Sequence, residues 1–176
     1  MRIELSENEM LALWKRRHFL EPLRADCLIE RSDGVDLDAI AREEMRLWYL
    51  RRLAEAPPCK LAPDDIAMTA KVRRSPSGTA LVTLPHNVVR VVAVKLGGWE
   101  RPARIIEAGS PCERRAANPF ARAGVADPVA VLRPGNILEL FSPDSRQALP
   151  VVDTLLVIED PGPHTYVMDE RLLEEC

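Results

Sequence analysis

Apolar and polar positions change period once along this chain. The first fifty or so residues carry apolar side chains at helical intervals, and most of the remaining chain alternates as strands do. Ser6-Glu7-Asn8-Glu9 has the form of a capping box, with Leu5 and Met10 at the spacing of a hydrophobic staple. Met10, Leu13, Trp14 and Leu20 continue at helical spacing, and Pro22 interrupts or kinks the helix before a second segment through Leu28. Ser32-Asp33-Gly34 reads as a break. Asp36 then caps a longer helix, with Val35 and Ile40 again at staple spacing, running through Ala39, Met45, Trp48 and Leu53 to a stop at Pro57-Pro58. Leu47, Trp48, Tyr49 and Leu50 are consecutive, so this helix is expected to be covered on several sides, by a sheet and the first helix or by another subunit. The two helices are expected to form an antiparallel pair.

After the prolines, Ile66 to Val72 reads as a strand or, from Asp64-Asp65, a short helix. Ser75 to Gly78 is a turn and Thr79 to Thr83 a strand. The stretch Val88 to Ile106 predicts a hairpin about Gly97-Gly98, because glycine supplies the positive φ of a primed two-residue turn. That register sets Leu96 opposite Trp99, Val94 opposite Arg101 and Val92 opposite Ala103. Pro102 cannot donate to a neighbour, which makes its strand an edge and places Val88 to Leu96 inside the sheet. A long connection comes next, with one helical turn around Cys112 to Ala116. A second hairpin, Val129 to Leu132 with Ile137 to Phe141, turns at Pro134-Gly135. The last strand is Val151 to Ile158, and Met168 to Glu175 starts a helix. The expected fold is α+β: two N-terminal helices packed on a largely antiparallel β-sheet of about five or six strands, with a C-terminal helix start. One domain is expected, with a helical part (1–58), a β-rich part (59–160) and a tail (161–176).

Composition adds little chemistry. The 176 residues are 47% hydrophobic and 29% charged, ordinary for a globular protein. A net charge of −3 gives no basic field to attract nucleic acid. No apolar run is long enough to span a membrane and no signal-peptide core opens the chain, so a cytoplasmic location is the expectation. Cys27, Cys59, Cys112 and Cys176 lie far apart, without a C-x-x-C pair, and read as free thiols rather than metal ligands. No phosphate-binding glycine motif occurs. Neither cofactor nor metal is expected. Asp36 with Asp38, and Asp64 with Asp65, are carboxylate pairs that helix starts explain, because a carboxylate favours the positive end of the helix dipole. His18, His86 and His164 sit in different segments, so a nucleophile-base pair could arise only through the fold. The clusters Lys15-Arg16-Arg17, Arg51-Arg52, Arg73-Arg74 and Arg114-Arg115 read as solvated surface, or as contacts to phosphate or carboxylate across subunits.

One resemblance bears on function. Leu84-Pro85-His86-Asn87-Val88-Val89-Arg90-Val91-Val92-Ala93-Val94, followed by Trp99-Glu100-Arg101-Pro102, resembles a segment of small phage and prophage head-to-tail adaptor (connector) proteins. The order of parts, helices first and then a β-rich insertion, is similar too. The resemblance implies a ring-forming structural protein without enzymatic activity, docked between portal and tail and located in the virion. Its partners would be further copies of itself or other virion components. Independently of the resemblance, the residues expected to interact with a partner are Trp99, Arg101, Pro102 and Arg104 of the edge strand and Trp48 and Tyr49 of the second helix. Two other classes stay open. One is a binding module presenting Trp99 and nearby arginines to a glycan or peptide. The other is an enzyme whose site assembles around His86 or His164 with nearby carboxylates.

Overall fold

The structure, a computed structural model, describes residues 1–18, 34, 36–121, 124–144 and 149–173. Among them the elements run β1 (Arg2–Ser6), α1 (Glu7–Arg17), α2 (Leu37–Glu55), β2 (Asp64–Asp65), β3 (Lys71–Arg74), β4 (Ala80–Thr83), β5 (Val88–Leu96) and β6 (Arg104–Ile106). Then come α3 (Pro111–Ala117), β7 (Val129–Arg133), β8 (Ile137–Phe141), β9 (Val152–Glu159), β10 (Thr165–Asp169) and α4 (Glu170–Leu173). The class is α+β and mostly β. The expected single sheet is instead three sheets, of two, three and five strands. The chain divides into two compact units, one made of Met1–Ala62 with Asp160–Cys176 and the other of Pro63–Glu159. The kink at Pro22, the segment through Leu28, Ser32, Asp33 and the staple residue Val35 lie outside the described residues.

The first unit joins both ends of the chain. β1 pairs antiparallel with β10, Arg2 with Asp169 through Ser6 with Thr165. Ser6 caps α1 as its pattern predicts: its hydroxyl accepts from the Glu9 N–H at 3.4 Å, and the Glu9 carboxylate accepts from the Ser6 N–H at 2.8 Å. The Ser6 hydroxyl, 2.7 Å from that carboxylate, and the Ser6 N–H together hold the Glu9 carboxyl below its ordinary range. Asp36 caps α2 by accepting from the Asp38 and Ala39 N–H groups at 2.9 and 3.1 Å. The helices touch through Trp14 and Trp48, with ring centroids 5.6 Å apart, and through Lys15 and Asp38 at 2.6 Å. The bond from Lys15 also lowers the Asp38 pKa. α2 buries Ala41, Met45, Tyr49 and Leu53, one stripe at intervals of four. The expected cover by a sheet and the first helix does not reach the other side of α2, where Leu37, Ile40 and Leu47 are 50, 48 and 59% exposed.

β1 and β10 are absent from the expected fold. Met168, read as a helix start, lies in β10, and α4 begins at Glu170. Asp169 fastens the two chain ends together. Its carboxylate takes the Arg171 Nε at 2.7 Å, the Arg171 N–H at 3.1 Å and the Met1 ammonium at 3.0 Å. Those donors, Arg171 foremost, hold its pKa far below the usual carboxylate range.

The second unit holds the other two sheets, in the orders β2-β9-β5 and β3-β4-β8-β7-β6. Their inward residues form one core of Ala80, Val82, Leu84, Val94, Leu96, Trp99, Leu138, Leu140, Leu155 and Val157, among others. A smaller core lies on the far face of the five-stranded sheet, where Ala116 of α3 covers Val129, Val131 and Phe141. Arg133 of β7 ties this face together by bonding both Glu113 of α3 and Glu139 of β8. The hairpin of β7 and β8 forms as the pattern predicts, turning through Pro134, Gly135 (φ +79°) and Asn136 (φ +55°).

The hairpin expected at Val88 to Ile106 does not form. β5 pairs antiparallel with β9, from Val88 opposite Glu159 to Leu96 opposite Val152, and β6 runs parallel to β7. Positive φ falls on Gly98 (+88°) and not on Gly97, so the primed turn is missing. Trp99 closes a tight turn onto Leu96 (N to O, 3.1 Å) and then drops into the core. Beyond that turn, the bond from the Ala103 N–H to Val94 O at 2.8 Å joins β5 to the returning chain. β9 wins the pairing because it offers an eight-residue strand with consecutive apolar residues at Leu155 to Ile158, whereas the returning segment loses a donor at Pro102. β5 consequently ends its sheet instead of lying inside it, and the centre is β9. β6 does take an edge of the five-stranded sheet. In the region of Ile66 to Val72 a 3-10 turn at Ala67–Thr69 precedes β3, which begins only at Lys71.

Candidate functional site

α2 positions the most unusual side-chain cluster of the first unit. Arg46 and Tyr49 project from neighbouring turns toward the segment that ends in β10. The Arg46 Nη2 donates to both carboxylate oxygens of Asp160, at 2.7 and 2.5 Å. Its guanidinium carbon lies 5.7 Å from the Tyr49 ring centre and 5.8 Å from that of Tyr166, and the two rings meet edge to face at 4.9 Å. Arg46 Nη1 is buried with no hydrogen-bond acceptor among the described residues, so the flanking π faces are its compensation. Burial raises the Asp160 pKa, but the Arg46 bond and the Gly162 N–H at 3.0 Å outweigh it and hold the carboxyl low.

Tyr49 performs a second task. Its hydroxyl donates to the Val167 carbonyl at 2.8 Å and accepts from the Val167 N–H at 2.9 Å. Both main-chain groups of Val167, on the outer edge of β10, are thereby satisfied by one side chain. Burial pushes the Tyr49 pKa up to about 12.

Beside this cluster the surface of α2 opens into a hollow of about 460 Å³, bounded by Glu7, Arg42, Glu43, Arg46, Leu47, Pro163 and Tyr166. His164 stands near it, with Nδ1 3.0 Å from the Glu7 carboxylate. This is the one histidine-carboxylate contact among the described residues, and its imidazole is 77% exposed. Water screens such a pair on every side, and no serine or cysteine stands within its hydrogen bonds. His86 is exposed, and His18 stacks on Trp14 with ring centres 4.1 Å apart.

The residues expected to interact are scattered. Trp99 is only 3% exposed and its Nε1 donates to the Ser142 carbonyl at 2.8 Å, so the module that would present it to a glycan or peptide lacks its central side chain. Arg101 and Arg104 are exposed and share Asp127, while Pro102 is exposed between them. Arg104 also borders a cleft of about 160 Å³ with Cys112, Arg115 and Asp127. Tyr49 is fully buried and Trp48 half-buried. Cys59 and Cys112 are exposed free thiols. Among the described residues no group of three or more His, Cys, Asp or Glu is placed to hold a metal ion, and no helix is long and apolar enough to cross a membrane.

Sequence reasoning missed the Arg46–Asp160 pair, whose partners lie 114 positions apart with no local signal linking them. It also missed the exposed stripe of α2, whose spacing was readable but whose exposure was not. Comparison with known proteins adds no relative: no protein-family model and no curated protein matches the chain.

Proposed function

We propose that this chain is a non-enzymatic structural protein that works by assembly, through self-association or contact with other virion components, as the phage head-to-tail adaptors it resembles do. The observation that carries the reading is the exposed stripe of α2. Leu37, Ile40 and Leu47 are large apolar residues on one side of a helix whose other side is already buried. Leaving them half exposed forfeits roughly 1 kcal/mol per side chain that a contact surface would recover. Phe120, 99% exposed on the turn after α3, is a further apolar anchor of the second unit. The stretch that carries the resemblance supplies β5 and the buried Trp99 turn, an architectural role that suits a structural protein.

Size-exclusion chromatography with light scattering tests the reading. The purified chain is expected to give a mass at or above that of a dimer, rising with concentration, and electron microscopy to show closed oligomers. A strict monomer throughout the concentration range, unchanged by added portal or tail protein, would overturn it.

A further inference from the structure

The proposed assembly leaves open which surface meets which, and the sequence along α2 answers that. Its exposed side carries two sets of positions that repeat every seven residues: Ile40, Leu47 and Ala54, and Leu37, Glu44 and Arg51. Seven-residue repeats keep their side chains along one seam of a helix, as in coiled coils. Between Ile40 and Ala54 the exposed charge along the seam is divided by halves. Glu43 and Glu44 are exposed toward the N-terminal end, and Arg51 is exposed toward the C-terminal end, with Leu47 between them.

We infer that α2 is a self-association helix whose partner is a second copy of this chain, lying antiparallel about a two-fold axis beside Leu47. The inference rests on the assembly reading above and deepens it. Antiparallel packing about that axis brings the two Leu47 side chains together at the centre. It sets Ile40 of each copy at the height of Ala54 of the other, so a large side chain meets a small one. Glu43 and Glu44 of each copy then lie across from Arg51 of the other, and symmetry makes the contact twice. A parallel pair would set glutamate over glutamate and arginine over arginine, which is repulsive at both ends. The contact is isologous and closes at two copies, so a larger ring needs a further surface, for which the β6 edge is available.

Charge exchange on the full chain tests both partner and direction. Sedimentation equilibrium at low salt is expected to show a dimer or an even multiple for the natural sequence. Glu44→Arg alone, and Arg51→Glu alone, should each weaken association at least tenfold. The combined Glu44→Arg/Arg51→Glu chain should recover to within about threefold, since reversing both signs restores the antiparallel match. All these positions are exposed, and circular dichroism melting checks that each variant stays folded. In a chain with its native cysteines replaced by serine, Leu47→Cys should form an oxidised dimer readily, while Met68→Cys, exposed on the second unit, should not. An oligomer that ignores both single reversals overturns this inference and moves the interface elsewhere, leaving the assembly reading intact. Failure of the double reversal to restore association overturns the antiparallel arrangement. A chain that is monomeric throughout overturns the inference and the assembly reading together.

Discussion

Tyr49 is one of only two tyrosines in the chain, the other being Tyr166, and the pKa of both is raised by burial. A tyrosine raised in the folded state favours the neutral phenol. Its contribution to stability is therefore complete below the unfolded value of about 10 and is lost as pH rises toward 12. Ultraviolet titration is expected to show Tyr49 still almost entirely un-ionised near pH 10.5 in the folded protein, and most of the phenolate absorbance of both tyrosines at that pH in denaturant. A folded protein that titrates fully at pH 10 would contradict the burial of these rings. Tyr49→Phe removes the partner of both Val167 main-chain groups and should cost on the order of 2 kcal/mol, read as a lower urea midpoint. The chain order announces none of this. The run Leu47-Trp48-Tyr49-Leu50 marks an apolar helix segment, but which of its members meets a strand edge 118 positions later is settled only by the tertiary fold.

Elements were legible wherever a local chemical device defines them. Ser6 and Asp36 start their helices, and Gly78 and Gly135 sit at positive φ in the turns assigned to them. Gly97-Gly98 misled because two glycines permit a primed turn without enforcing it. Competition from β9, more than fifty residues downstream, decided the pairing of β5. Only Gly98 needs its glycine character there, at φ +88° with Asp144 Cβ 3.5 Å from where a Cβ would stand. Gly98→Ala is expected to lower stability by about 1–2 kcal/mol, and Gly97→Ala to cost less. Equal losses at both positions in thermal melts would count against the observed turn. The exposed stripe of α2 shows the same limit from the other side. Helical spacing identifies which residues share a face, but only the packed structure separates the face that is covered from the face that is not.

The molecule consists of one unit formed from a continuous segment and another assembled from both ends of the chain. An isolated 63–159 fragment should therefore melt cooperatively with β-type circular dichroism, while a 1–62 fragment, lacking β10, should stay unfolded. A non-cooperative 63–159 fragment would refute that division. Acid should also distinguish the units. Glu9, Asp38, Asp160 and Asp169 are held low in the first, and Glu113, held low by the Gly109 N–H, lies in the second. Lowered carboxylates contribute stability above their unfolded values of about 4 and lose it as pH falls further. Hydrogen exchange between pH 4 and 2 is expected to rise first in β1 and β10. The pairing of those two strands also constrains the order of events during synthesis. β1 leaves the ribosome well ahead of its partner, which emerges only after roughly 160 more residues, a delay on the order of ten to thirty seconds at typical elongation rates. For that interval Arg-Ile-Glu-Leu-Ser is a nascent strand without a mate, and the whole 63–159 unit has time to fold before the two ends meet.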